Sequence, residues 1–145
     1  MEHLPIHTRQ AVPADHAEIA GLLCQLGYKI DAAQVLAKLN AMQGSSADLV
    51  LLASKEDKII GCISLHVLAM FHRTGSLGRI TSLVADREHR GQGIGKALMA
   101  AAHQWFIDNE CVKLEVTSAD QRLDAHRFYE SLGFERDGQR FSREV

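Results

Sequence analysis

The chain has 145 residues, 46% of them hydrophobic and 23% charged, with a formal net charge of −2. That is the size of one domain, and the composition is that of a soluble globular protein with a core of its own. The balanced charge and the lack of a long basic run argue against nucleic acid or an anionic membrane as partner, and no apolar run approaches the ~20 residues that span a bilayer.

Residues 1–5 carry neither the basic flank nor the apolar stretch of a secretory signal, so a cytoplasmic protein is expected. Cys24, Cys62 and Cys111 agree with that. Their number is odd, no CxxC spacing occurs, and each has apolar neighbours, so buried reduced thiols are expected. Residues 6–12 alternate loosely and read as a first strand. Pro13 suits the first turn of a helix whose apolar positions are Ile19, Leu22, Leu23 and Leu26, with Gly27 as its stop. Asp31, with Gln34 three residues on, is a capping box for a second helix. Val35, Leu36, Leu39 and Met42 form its apolar face, and Gly44 ends it. Residues 49–53 are a continuous apolar run, then comes the polar turn 55–58, then a longer strand over 59–68, together a hairpin. Residues 70–78 read as a loop and 79–85 as a fourth strand. Beyond Gly91 the period changes to helical, with Ile94, Ala97, Leu98, Ala101 and Trp105 on one face. A fifth strand over 112–117, a helix from Asp120 to Leu132 closed by Gly133, and short strands around Phe134 and Phe141 complete the chain.

The predicted order is β-α-α-β-β-β-α-β-α-β-β, a single α/β domain over residues 1–145 with a mixed sheet and helices on both faces. The strand–helix–strand unit over 79–117 implies a parallel pair. His3 and His7 are four residues apart, but in a strand that spacing does not make one ligating face, and no third ligand follows. No metal site is expected.

The turn Arg90-Gly91-Gln92-Gly93-Ile94-Gly95-Lys96 joins a strand to a helix. Free N–H groups and the helix dipole make such a turn an anion site. Three glycines let a diphosphate approach the backbone, and Arg90 and Lys96 add positive charge. The spacing excludes two common phosphate loops. For a dinucleotide GxGxxG, the third glycine would fall at Lys96 or Leu98. For GxxxxGK[ST], Gly91 and Gly95 are one residue too close, and Ala97 stands where a hydroxyl is needed.

With Arg-x-x-Gly-x-Gly as the remaining pattern, residues 80–134 resemble the GNAT superfamily of N-acetyltransferases. The likeness runs through Ile80-Thr81-Ser82-Leu83-Val84-Ala85-Asp86, the glycine turn, Leu114-Glu115-Val116-Thr117, and Ala125-His126-Arg127-Phe128-Tyr129-Glu130-Ser131-Leu132-Gly133-Phe134. The resemblance implies a GNAT-like fold splayed between strands four and five, with acetyl-CoA as co-substrate. Its pantetheine arm would pair with the backbone of Leu83, Val84 and Ala85, and its pyrophosphate would rest on the N–H groups of Arg90 to Lys96. Tyr129 matches the family's tyrosine beside the CoA sulfur, where a phenol of pKa ~10 can protonate the departing thiolate. Packing in the core is its other reading. Arg122 stands where many relatives carry asparagine near the cofactor arm, and either contacts a phosphate or packs at the helix start.

A lysine-like amine of pKa ~10.4 lies about three units from neutrality, which costs about 4 kcal/mol to make it nucleophilic. Many relatives hold a glutamate at the position of Thr81, absent here. Glu115, His66 and His72 are the candidate bases, directly or through water, and Thr81 is assigned to the acceptor side. The acceptor is expected between Tyr28-Lys29 of the first helix–helix loop and His72-Arg73 of the loop after strand three. These loops offer aromatic surface and two fixed positive charges but no carboxylate, which fits a small amine of low positive charge. Acetylation of a protein lysine or N-terminus, and a catalytically silent CoA-binding sensor, are the alternatives. Many members of the superfamily are homodimers, though no residue here demonstrates it.

Overall fold

A computed structural model describes residues 4–118 and 122–145; His3 and the expected helix start at Asp120 lie outside the described residues. Five strands form one sheet in the order β1-β2-β3-β4-β5. They are β1 (His7–Gln10), β2 (Asp48–Lys55), β3 (Lys58–Ala69), β4 (Ser76–Ala85) and β5 (Cys111–Val116). β1 to β4 are antiparallel neighbours, and β5 lies parallel to β4. The helices are α1 (His16–Gln25), α2 (Ala32–Met42), α3 (Ile94–Asp108) and α4 (Leu123–Ser131).

Local signals explain most of these boundaries. The backbone N–H of Gln34 donates to Asp31 Oδ1 at 2.8 Å and that of Asp31 to Gln34 Oε1 at 2.9 Å, the reciprocal capping box at the start of α2. Glu56 and Asp57 take φ of 51° and 64°, the left-handed pair that joins twisted strands in a tight hairpin. Gly27 follows α1 with φ 96° and permits its left-handed exit.

Alternation along β3 divides the core. Cys62 turns to α1 and α2 with Ile19, Leu22, Val35, Leu39, Leu52 and Val84. Ile63 and Leu65 turn to α3 with Ile80, Ile94, Leu98, Ala102 and Phe106. Burying a side chain of this kind stabilises the fold by about 1.5–3 kcal/mol. Gly78 lets Phe106 pack onto the sheet, since a Cβ there would lie 2.5 Å from the ring.

Four expectations need correction. β4 begins at Ser76, so Gly78 is a strand residue and the loop is 70–75; Ser76 and Leu77 pair with Ala69 and Leu68. The buried row of α3 is Ile94, Leu98, Met99, Ala102 and Phe106, while Ala97, Ala101 and Trp105 are only half-buried. The sheet beneath meets the helix on a row rotated from the predicted one. No strand forms from Phe134 onward among the described residues: polar residues and Gly138 fill 135–140, and Phe141 is exposed. Of the cysteines only Cys62 is buried, where desolvation pushes its thiol up to about 12; Cys24 lies on the solvent side of α1.

Three carboxylates hold elements together. Arg9 meets Asp15 through two bonds of 2.8 and 2.9 Å, and the backbone N–H of Val12 donates to the same carboxylate. Hydrogen bonds from Arg9, His66 and Gln25 are the main causes that hold Asp15, Asp48 and Asp86, respectively, below their ordinary value of 3.8. A carboxylate depressed in the fold stabilises it above the unfolded value, and the contribution is lost as pH falls through the folded value. The urea midpoint is therefore expected to fall steadily once the pH drops below about 4. In Asp15→Asn the same titration should start from a lower midpoint and fall less steeply. Equal slopes for the two proteins would remove Asp15 from this account.

Candidate functional site

The glycine turn is built by Asp86. Its backbone N–H donates to Ile60 O, and its carboxylate accepts from Gln25 Nε2 at 3.2 Å and lies 3.2 Å from His89 Nδ1. Gln25 Oε1 in turn accepts from the backbone N–H of Arg87 at 2.9 Å. The end of β4, the short helical turn 87–89 and the end of α1 are thereby locked together. The chain then reaches Gly91 and Gly93 with φ of 78° and 83°, and Gly93 is the residue before α3, with no side chain capping the helix. The first N–H groups of α3 are consequently free for an anion.

The three glycines do not act alike. A Cβ at Gly91 or Gly93 would meet nothing within 4 Å, so the space above their backbone is open. A Cβ at Gly95 would lie 3.0 Å from the Phe128 ring. Gly95 thus brings α3 against α4 rather than opening the backbone to a ligand. Ile94 is buried in the core beneath the turn. Arg90, Gln92 and Lys96 are exposed, and among the described residues neither Arg90 nor Lys96 forms an ion pair. Lys55, at the end of β2, donates to Gln92 Oε1 at 2.9 Å and brings a further cation to the turn.

From this turn the backbone of β4 runs back along an open seam. β5 pairs with β4 only from Ser76 to Ile80. Leu83, Val84 and Ala85 pair with β3 on their other side and have no β5 partner. Asp86 turns its N–H to β3, so by alternation Val84 does the same, while Leu83 and Ala85 turn their N–H and C=O groups to the open side, where no strand among the described residues meets them and an extended ligand can add as a further strand. Ser118, just past β5, has a buried hydroxyl without a hydrogen-bond partner among the described residues, a group that a ligand in the seam could satisfy. Tyr129 is half-buried, its ring 5.4 Å from Phe128 and 5.9 Å from Phe134. Burial raises its phenol, nearby Arg122 opposes the rise, and Tyr28 adds to it. Tyr28 from the α1–α2 loop and Arg122 at the start of α4 thus lie within electrostatic reach of Tyr129.

On the α1/α2 face the register assembles a row with one residue from each of four strands. Asp48 is opposite His66, His66 opposite Arg79, and Arg79 opposite Glu115. His66 Nδ1 lies 2.8 Å from Asp48 Oδ1 and Nε2 lies 2.7 Å from Thr81 Oγ1. Thr81 is the extra residue of a β-bulge, since Ser64 pairs with Ser82 and Leu65 with Ile80. Its hydroxyl is 2.7 Å from Ser64 Oγ. Arg79 donates to Glu115 at 3.2 Å and to Thr117 Oγ1 at 2.8 Å, and Lys113 Nζ lies 3.7 Å from Glu115. The Glu115 carboxylate is thus held between two cations.

The two loops expected to flank the acceptor start from opposite ends of β4. Gln25, just before Tyr28 and Lys29, touches Asp86 beyond the strand's end. His72 and Arg73 precede its start, and the adjoining Thr74 to Ser76 line a surface hollow with Glu110 to Val112. Ten residues of strand at ~3.3 Å each lie between. An acceptor that touched both loops would have to reach along this strand, whose direction is invisible in a list of loops. The sequence also offered no reason to single out Asp48, Arg79, Lys55 or Asp86, because each becomes part of the site only through pairing or packing. Among the described residues no three His, Cys, Asp or Glu side chains converge as a metal site, and no helix is long and apolar enough to cross a membrane.

Comparison with known proteins gives one answer. The profile described as the Acetyltransferase (GNAT) family matches residues 16–134. Aminoalkylphosphonate N-acetyltransferase of Salmonella typhimurium is 34% identical over 63% of this chain and 60% of its own length, so the chain spans less than two thirds of that relative. Aminoglycoside N(6')-acetyltransferase type 1 of Stenotrophomonas maltophilia is 30% identical over 88% of this chain and 84% of its own. The solved structure of aminoglycoside N-acetyltransferase AAC(6')-Iy in complex with CoA shares the fold, with TM-score 0.88 and 17% identity over 99% of this chain and 97% of that one.

Proposed function

The chain belongs to the GNAT acetyltransferase family, and from that premise we propose that it moves an acetyl group from acetyl-CoA to the primary amine of a small molecule. One observation carries the reading: the open glycine turn leads directly into the unpaired half of β4. A pyrophosphate bound by the N–H groups of Gly91 to Lys96 sends its arm along Ala85, Val84 and Leu83. The thioester then lies near the bulge at Thr81, where β5 closes the seam. Arg90, Lys96 and Lys55 supply charge to the phosphates. Tyr129 protonates the thiolate as the C–S bond of the tetrahedral intermediate breaks. Arg122, beside Tyr129, meets the cofactor arm or the acceptor.

The acceptor enters on the α1/α2 face beside Tyr28 and Lys29. Among the described residues Lys29 and Arg122 form no ion pair, whereas Glu115 is already engaged by Arg79 and Lys113. That surface suits an amine bearing its own anionic group more than a polycation. Kinetics with an aminoalkylphosphonate and an amino acid against an aminoglycoside and a basic peptide test this. The anionic amines should have the higher kcat/KM; a tenfold advantage for the polycations would overturn it.

The chemistry itself is tested by calorimetry with acetyl-CoA, NAD and ATP, followed by thiol release across the same amines. Acetyl-CoA should bind and NAD and ATP should not. Tight binding of NAD or ATP without CoA binding would defeat the assignment of the turn. Binding of CoA without thiol release on any amine would make the protein a CoA sensor instead.

A further inference from the structure

We propose that Asp48, His66 and Thr81 form a proton relay that takes the proton from the acceptor amine, with Thr81 as the group that touches the amine. The inference rests on the acetyl-transfer reading above and extends it to residues on three strands.

With a neutral imidazole the hydrogen bonds admit one consistent polarity. Asp48 is an acceptor, so the 2.8 Å contact places the proton of His66 on Nδ1. Nε2 is then a lone pair, and at 2.7 Å it accepts the hydroxyl proton of Thr81. The lone pairs of Thr81 Oγ1 face outward and toward the Ser64 hydroxyl at 2.7 Å. Ser45 donates to the second oxygen of Asp48 at 2.9 Å and fixes that carboxylate. Every donor in the chain thus points toward the imidazole and its carboxylate. A network needed only to fasten strands has no use for an exposed terminus, yet Thr81 is exposed while His66 and Asp48 are partly covered.

The bulge makes that terminus available. The extra residue is not absorbed by regular pairing with β3, and β5 leaves β4 after Ile80. Thr81 therefore stands where the seam opens, at the thioester end of the proposed cofactor path. As the ammonium approaches, its proton passes to Thr81 Oγ1 while the hydroxyl proton passes to His66 Nε2. The imidazolium formed is stabilised by Asp48, in the way a carboxylate supports a catalytic histidine. The freed amine attacks the thioester carbon and the N–C bond forms; as the C–S bond breaks, Tyr129 protonates the thiolate, and the second proton lost by the nitrogen restores the Tyr129 phenol. The proton held by His66 then leaves to solvent through its partly exposed ring. The balance is one ammonium and one acetyl thioester giving one amide, one thiol and one proton.

The test compares Thr81→Val, Thr81→Ser, His66→Ala and Asp48→Asn with the wild-type chain. Calorimetry gives Kd for acetyl-CoA, and thiol release gives kcat and KM on the best amine of the panel. Thr81→Val keeps the shape and suits a strand, so acetyl-CoA should bind as in the wild type while kcat falls roughly 100- to 10,000-fold. Thr81→Ser should stay within about tenfold of wild type, since the hydroxyl is kept. Asp48→Asn should lower kcat with KM little changed, and added imidazole should restore part of the His66→Ala rate. Wild-type rates in Thr81→Val, or equal loss in Thr81→Ser and Thr81→Val, would overturn the relay alone. An acetyl group trapped on Thr81, seen by mass spectrometry, would replace the relay with a nucleophile. Absence of transfer by the wild-type chain to every amine would overturn the relay and the acetyltransferase reading together.

Discussion

Gly93→Asp is expected to weaken acetyl-CoA binding by roughly 100-fold or more, which corresponds to about 3 kcal/mol. Gly93 precedes the first turn of α3, where the free N–H groups converge. Hydrogen bonds to a charged group are worth about 1.5–3 kcal/mol each, so losing one or two accounts for the effect. A carboxylate there also satisfies the same donors from within and repels the pyrophosphate. A clash with the fold is not the cause, because nothing lies within 4 Å of a Cβ at this position. Strain contributes, since φ is 83° and a non-glycine residue in the left-handed region costs about 1–2 kcal/mol. Gly93→Asn separates the two effects: it tolerates the same backbone without the charge and should bind acetyl-CoA markedly better than the aspartate variant. Calorimetry on both, with thermal unfolding as the control, decides it. Equal loss in the two variants would assign the effect to the backbone alone.

Tyr129→Phe should lower kcat by roughly 10- to 1,000-fold while leaving Kd for acetyl-CoA nearly unchanged. The ring contacts with Phe128 and Phe134 survive in phenylalanine, so the hydroxyl alone is removed. Burial holds the phenol above its ordinary value, and Arg122 only partly opposes this. The group is thus fully protonated at neutral pH, as a proton donor to a thiolate must be. Steady-state rates under conditions where chemistry limits turnover provide the measurement. An unchanged kcat would reduce Tyr129 to a packing residue.

The sequence by itself determined those features whose signals are local. The Asp31–Gln34 box, the stop at Gly27, the tight turn at Glu56-Asp57 and the glycine turn before α3 each depend on backbone preferences within a few residues. The family was legible for the same reason, since Gly91-Gln92-Gly93 and the Phe128-Tyr129 segment are short motifs at a characteristic separation. Where a polar stretch carried one apolar residue, as around Phe141, the strand inferred from that residue did not form. The site's other half was decided only by tertiary structure. Asp48, His66, Arg79 and Glu115 are spread over 68 positions of sequence yet lie side by side, because strand register sets which residues meet. The bulge at Thr81 comes from a mismatch between two strands, and no residue type announces it. Likewise, the anchoring of the end of α1 beyond one end of β4 and of the 70–75 loop at the other follows from strand direction. Local propensities act over a turn or two of chain, whereas register, bulges and direction arise from the packing of whole strands onto α1, α2 and α3.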